Sequence, residues 1–177
     1  ISGAMRTHWH LIFLGLFAVV YAVFTYINTK EGKIKFDQFI INAPVLGDVV
    51  QKVSVARMSR TMSTLLSSGI NMLEAIDIAS KTAGNYVIET ALLNCKESVT
   101  VGKPFHVPLS RQREIPQMVS QMVSIGEQSG SLDTMLGKVA DFYEEEVESS
   151  IRAMTSLIEP AMMIILGGAI AVIMIAM

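Results

Sequence analysis

The sequence predicts an all-α protein, a helical bundle held between two membrane-spanning helices. Three observations carry this expectation. Hydrophobic residues make up 51% of the chain and crowd into uncharged runs near its two ends, while charged residues are only 17%, against about 25% in ordinary soluble domains. Between those runs, apolar residues recur at spacings of three and four, the mark of amphipathic helices. No segment shows the period-two alternation of a half-buried strand.

The elements follow in chain order. Residues 1–5, Ile1-Ser2-Gly3-Ala4-Met5, read as a cloning remnant and are left out of fold reasoning. Residues 9–27 (WHLIFLGLFAVVYAVFTYI) hold no acidic residue, lysine or arginine. A hydrocarbon core of ~30 Å takes about 20 helical residues, and Trp9, Tyr21 and Tyr26 lie toward the ends, where aromatic belts sit. A signal peptide would need a small-residue cleavage site, and Tyr26-Ile27-Asn28-Thr29-Lys30 is a poor one. Lys30, Lys33 and Lys35 follow this run, whereas Arg6 alone precedes it with His8 and His10. The positive-inside rule then places the middle of the chain in the cytoplasm.

Residues 44–150 are expected to form the bundle. Val55, Met58, Met62, Leu65, Leu66 and Gly69 mark a first helix, which Gly69 ends in a left-handed conformation. Asn71 and Glu74 make a capping-box pattern for the next helix, with Met72, Leu73, Ile76 and Ala79 as its apolar face. After Gly84-Asn85, a further stripe reads Ile88, Leu92, Cys95, Val99. Residues 102–116 (GKPFHVPLSRQREIP) are the longest non-periodic stretch and read as loop. Pro116 suits the first turn of a helix faced by Met118, Met122 and Ile125. Gly126 to Gly130 ends that helix. Ser131 is the expected N-cap of the last one, with Asp133 in its first turn. Its apolar positions run from Leu132 to Val147. No stop signal precedes Pro160, so this helix is expected to run, kinked there, into a second membrane helix over residues 155–177. The chain stops inside that apolar run, which reads as truncation.

Chemistry is hard to find. The net charge of −2 argues against a broad nucleic-acid surface. There is no GxxxxGK[ST] loop, no HExxH and no Glu-x-x-His pair, so nothing points to a cofactor, nucleotide or metal. The single cysteine, Cys95, lies on an apolar stripe and reads as core, which leaves no internal disulfide. Twelve methionines read as adaptable filler of core and bilayer. Residues 141–148 carry five carboxylates. They read either as a solvated face or as a contact for a protein or cation, since so many like charges repel unless offset.

The run at 118–147, MVSQMVSIGEQSGSLDTMLGKVADFYEEEV, with TSLIEP at 155–160 and NAPVLG at 42–47, resembles the type II secretion F family. That GspF/PilC family comprises the inner-membrane platform proteins of type II secretion systems and type IV pili. The stretch around 104–114 departs from the family pattern. The resemblance implies an all-α six-helix bundle in the cytoplasm, flanked by two transmembrane helices, as the C-terminal half of a longer protein. It further implies a non-enzymatic scaffold that couples a hexameric assembly ATPase to pilins or pseudopilins. Other inner-membrane assembly proteins, the lipid bilayer and further copies of the chain (a dimer or more) would be its partners, and nucleic acid would not. On that reading Glu127, Gly130 and Asp133 at the last hairpin are candidate partner contacts, though the glycines also serve a tight turn. Glu144, Glu145 and Glu146 would face a basic motor surface. Glu159, at the bilayer edge, would pair with Arg152 or with the amino terminus of a pilin. The competing readings are a membrane-anchored signalling module, which needs a phospho-accepting histidine on a helix, and a transporter fragment, which needs polar residues deep in the membrane. Leu11 to Phe24 offers none of the latter.

Overall fold

The computed structural model describes residues 30–41, 43 and 46–176, without the side chains of 30–33 and of part of 157–176. Its elements are α1 (Lys30–Ile41), α2 (Leu46–Ser67), α3 (Met72–Thr82), α4 (Tyr86–Thr100), α5 (His106–Leu109), α6 (Gln117–Ser129) and α7 (Leu132–Ala176). The described helices number seven, one of them a single turn, against the six implied by the resemblance; among the described residues there is no strand. The first expected span, 9–27, lies outside the described residues. Among those described, no single helix is long and apolar enough to cross a membrane. The bent pair α1 and α2 reaches that threshold only jointly, across a 110° corner. The apolar face of α2 belongs to the bundle core: Val55, Met58 and Met62 are all buried.

The frame of the bundle is the antiparallel pair α2 and α7. Ser63 Oγ donates to the Asp133 carbonyl (2.7 Å), Arg60 reaches Asp141 and Glu144, and Lys52 reaches Glu146 and Ser150. Apolar spacing on both helices directs Met58, Met62, Leu136 and Val139 into one core, which α3, α4 and α6 close with Ile76, Leu92 and Val123. Burial of each such side chain contributes roughly 1.5–3 kcal/mol.

Local signals end and start the helices as the residues predict. Gly69, at φ 81°, closes α2. Its N–H bonds the Leu66 carbonyl and that of Ile70 bonds Leu65 (3.0 Å each), a Schellman pattern. The Asn71 side chain accepts from the Glu74 N–H (3.0 Å), capping α3, while its amide nitrogen, not its backbone, reaches the Glu74 carboxylate (3.2 Å). Asn85 caps α4 through the Val87 N–H (2.9 Å). Cys95 is fully buried on α4, and that burial pushes its thiol up to about 12.

An acid-sensitive clamp joins α3 to α4. Asp77 takes Lys81 at 2.6 Å and Lys96 at 2.7 Å. The hydrogen bonds from Lys81 and then Lys96 hold its carboxyl down at about 2, below the ordinary 3.8. A lowered carboxylate pKa adds stability that is complete above the unfolded value and disappears as pH falls through the folded one. The protection factor for amide exchange at the α3–α4 junction, taken against the intrinsic rate at each pH, is therefore expected to fall between about pH 4 and pH 2, and not in Asp77→Asn. Equal acid responses in the two proteins would discard the clamp.

Three expectations change. The bundle starts before residue 44: Ile34, Asp37 and Ile41 turn α1 inward, and the buried Asp37 carboxylate accepts from the Tyr86 N–H (2.8 Å). Read alone, the lysines of this segment suggested only a membrane flank. The stretch 102–116 is not plain loop, since it contains α5, with Phe105, Leu109 and Ile115 buried in the core. Pro116 stands one position earlier than expected, at the N-cap of α6, where its missing N–H costs nothing.

Candidate functional site

The candidate contact residues fall at two places, the α6–α7 hairpin and the acidic part of α7. One is the hairpin end of the bundle. Gly126 is inside α6, not in the turn; helix ends at Ser129, and Gly130 takes the left-handed cap (φ 67°). No atom lies within 4 Å of where a Cβ on Gly130 would stand, so backbone conformation alone asks for glycine there. Gly126 is different. A Cβ at that position would lie 2.8 Å from the Leu132 Cα and 3.1 Å from its Cδ1. Gly126→Ala should gain about 1 kcal/mol of helix propensity yet lose about 1–3 kcal/mol to overpacking against backbone. A net fall in thermal midpoint is expected by circular dichroism; a rise would show that the hairpin yields freely.

Glu127 is the organising residue of this end. Its carboxylate accepts from the Phe105 N–H (2.6 Å) and the His106 N–H (3.2 Å), and Oε2 also meets His106 Nδ1. It thus caps α5, holding the 102–116 segment onto α6. Glu127, Gly130 and Asp133 line one cavity of about 290 Å³ with Leu66, Met72, Lys103 and Phe105. Three sequence candidates therefore do come together, but Glu127 is engaged inside the fold.

The second place is the acidic strip, where α2 supplies the partners. Arg60 makes a two-pronged contact with Glu144 (3.0 and 2.7 Å) and a further one with Asp141 (2.6 Å). Those carboxylates hold its guanidinium protonated, shifting its pKa upward. Lys52 bridges Asp48 (2.8 Å) and Glu146 (3.1 Å), and its pKa is raised, chiefly by the hydrogen bond to Asp48. Two of the three carboxylates expected to face a partner, Glu144 and Glu146, are thus spent on α2; Glu145 is exposed and takes no ion pair among the described residues. Such exposed pairs contribute only about 0–1 kcal/mol each, so their service is to relieve repulsion along α7. Between α2 and α7 an open groove of about 580 Å³ carries Arg57, Arg60, Glu144 and Glu148 over Val53, Ala56 and Val147.

Arg152 does not wait for Glu159. It bonds Glu148 at 3.1 Å, the i,i+4 neighbour one turn back, whereas Glu159 is two turns away. The Glu159 side chain lies outside the described residues. Among those described, no three His, Cys, Asp or Glu side chains are grouped to hold a metal ion. Sequence reasoning did not single out Arg60, Lys52 or Asp37, because each acts across the bundle on residues 49 to 98 positions away.

The model of the family described as type II secretion system (T2SS), protein F, matches residues 58–177. The chain is 42% identical over 147 residues to the type IV pilus assembly protein PilC of Myxococcus xanthus, covering 83% of this chain and 35% of that protein. It is 41% identical over 178 residues to the PilC of Thermus thermophilus, covering 100% and 44%. With the type II secretion system protein F of Vibrio cholerae it shares 28% over 170 residues, covering 96% and 42%. It thus spans less than half the length of these relatives. The glycine-hinged hairpin, the acidic α7 and the matches to both kinds of assembly protein agree: the chain belongs to the type II secretion system protein F family.

Proposed function

We propose that this chain is the membrane-coupled half of a non-enzymatic inner-membrane platform, which links a cytoplasmic assembly ATPase to pilin or pseudopilin assembly. One observation carries the reading. α7 runs as a single helix from Leu132 to Ala176, 45 residues, about 68 Å at 1.5 Å per residue. Its first part packs in the core through Leu136, Val139 and Ala140; beyond residue 160 it leaves Met163, Ile164 and Ile165 exposed by 64%, 75% and 64%. An apolar surface of that kind on a helix end calls for a partner, and the bilayer suits one with no charged residue between 160 and 177. A push on the bundle then reaches the membrane along one continuous helix, with Pro160 inside it and no loop between.

On this reading residues 9–27 and 155–177 cross the inner membrane, residues 44–150 stand in the cytoplasm, and the platform is a dimer or larger. Glu145, turned outward beside the neutralised Glu144 and Glu146, is the carboxylate offered to the motor. Glu159 meets the pilin. His106 heads a one-turn helix and is tied to Glu127, which speaks against a phospho-accepting signalling module. The test is a photo-cross-linker at Glu145 in the full-length protein in its own cells. An adduct with the assembly ATPase is expected; adducts only with other proteins sink the coupling. Glu159→Gln is expected to abolish pilus or pseudopilus assembly, and full assembly would remove Glu159 from the scheme.

A further inference from the structure

The outward face of α1 has no function in the reading above. Ile34, Asp37 and Ile41 fix this helix on the bundle, and the Asp37 carboxylate is consumed at the start of α4. Gly47 locks the α1–α2 corner: a Cβ there would lie against the Ile41 carbonyl oxygen, so no larger residue fits without moving α1. The helix is therefore held in one orientation. What it turns outward is Lys35, Phe36 and Phe39, with Phe39 exposed by 73%. Two phenylalanines three residues apart share one helix face. Two more lysines, Lys30 and Lys33, lie in the preceding turns.

The position of α1 in the bundle supplies the second observation. α2 and α7 are antiparallel, with Ser63 beside Asp133 and Lys52 beside Ser150. Carried on to Leu46, this register brings the α1–α2 corner level with the part of α7 that leaves the core. The hairpin at Gly130 is at the opposite end. Thus α1 shares its end of the bundle with the exposed apolar stretch of α7. Exposed aromatic rings flanked by lysines are the pattern of helices that lie in the plane of an anionic membrane interface.

We propose that α1 is an interfacial helix: Phe36 and Phe39 enter the boundary between headgroups and acyl chains of an anionic phospholipid bilayer, and Lys35 with its neighbours binds the phosphates. This rests on the reading that the distal part of α7 lies in that bilayer. Together with the membrane contact of α7, this holds the α1 face of the bundle against the bilayer surface.

Site-directed spin labelling tests this on the whole chain in phosphatidylcholine vesicles, with and without phosphatidylglycerol. Cys95 is fully buried and resists the label. Nitroxides at Phe39→Cys, at Ile165→Cys on distal α7 and at the exposed Thr134→Cys at the far end are compared for collision with oxygen and with a water-soluble nickel chelate. The oxygen-to-nickel ratio at Phe39→Cys is expected to exceed that at Thr134→Cys several-fold, to rise with phosphatidylglycerol and to fall in Lys35→Glu. A water-like ratio at Phe39→Cys with a lipid-like one at Ile165→Cys overturns this inference and leaves the α7 reading standing. Water-like ratios at both overturn both. Shielding of Phe39→Cys from both colliders means a protein, such as a second copy, covers α1, and also overturns it.

Discussion

Phe105→Ala is expected to lower the unfolding free energy by about 3–5 kcal/mol, a fall in thermal midpoint on the order of 10 °C for a chain this size. Phe105 is 1% exposed, within the cluster that joins α2, α4, α6 and α7. Truncation opens a cavity beneath the single turn α5. The segment carrying Leu109 and Ile115 should loosen with it. Circular dichroism melts in micelles measure the midpoint, and hydrogen exchange over residues 102–116 measures the loosening. A melt within a degree or two of the parent would mean that α5 is not part of the cooperative unit. Phe105→Leu, which keeps most of the volume, should fall between the two.

Glu127→Ala is expected to cost about 2 kcal/mol. It strands the Phe105 and His106 N–H groups, and an unmet buried donor costs roughly 1–3 kcal/mol. Glu127→Gln keeps one side-chain oxygen as acceptor and should recover part of the loss. This series separates the two roles open to the residue. A cap predicts that stability and assembly fall together, with Gln intermediate in both. A pure partner contact predicts an unchanged melt in all variants with assembly lost, and that pattern would refute the cap. Combined with Phe105→Ala, the losses should be less than additive, because both release the same turn.

Much of the fold is legible from short-range signals. The stripe Val55–Met58–Met62, the Gly69 stop, the Asn71 cap, the break at Gly84-Asn85 and the Ile88–Leu92–Cys95 stripe depend on residues within one or two helical turns of each other, and all stand where the sequence puts them. The length of α7 is legible for the same reason: no breaker stands between Leu132 and Pro160. The α1 helix and α5 are not. α5 is a single turn, too short to show a period, and α1 interleaves lysines with its apolar positions, so neither displays a helical stripe. They are held by long-range hydrogen bonds: Glu127, 21 positions away, heads α5, and Asp37 of α1 accepts from the Tyr86 N–H, 49 positions away.

The candidate site divides along the same line. By itself the sequence determined an all-helical chain, its family, the glycine stop at Gly130 and the charge of the 141–148 strip. Tertiary structure alone decided which of those charges are free. Glu144 and Glu146 are answered by Arg60 and Lys52 on α2, Glu127 is turned inward, and Glu145 remains. The reason is physical. Helical periodicity is a local property that the residues themselves display, whereas the partner of a charge depends on which helix is packed alongside, and that is settled only when the whole core closes.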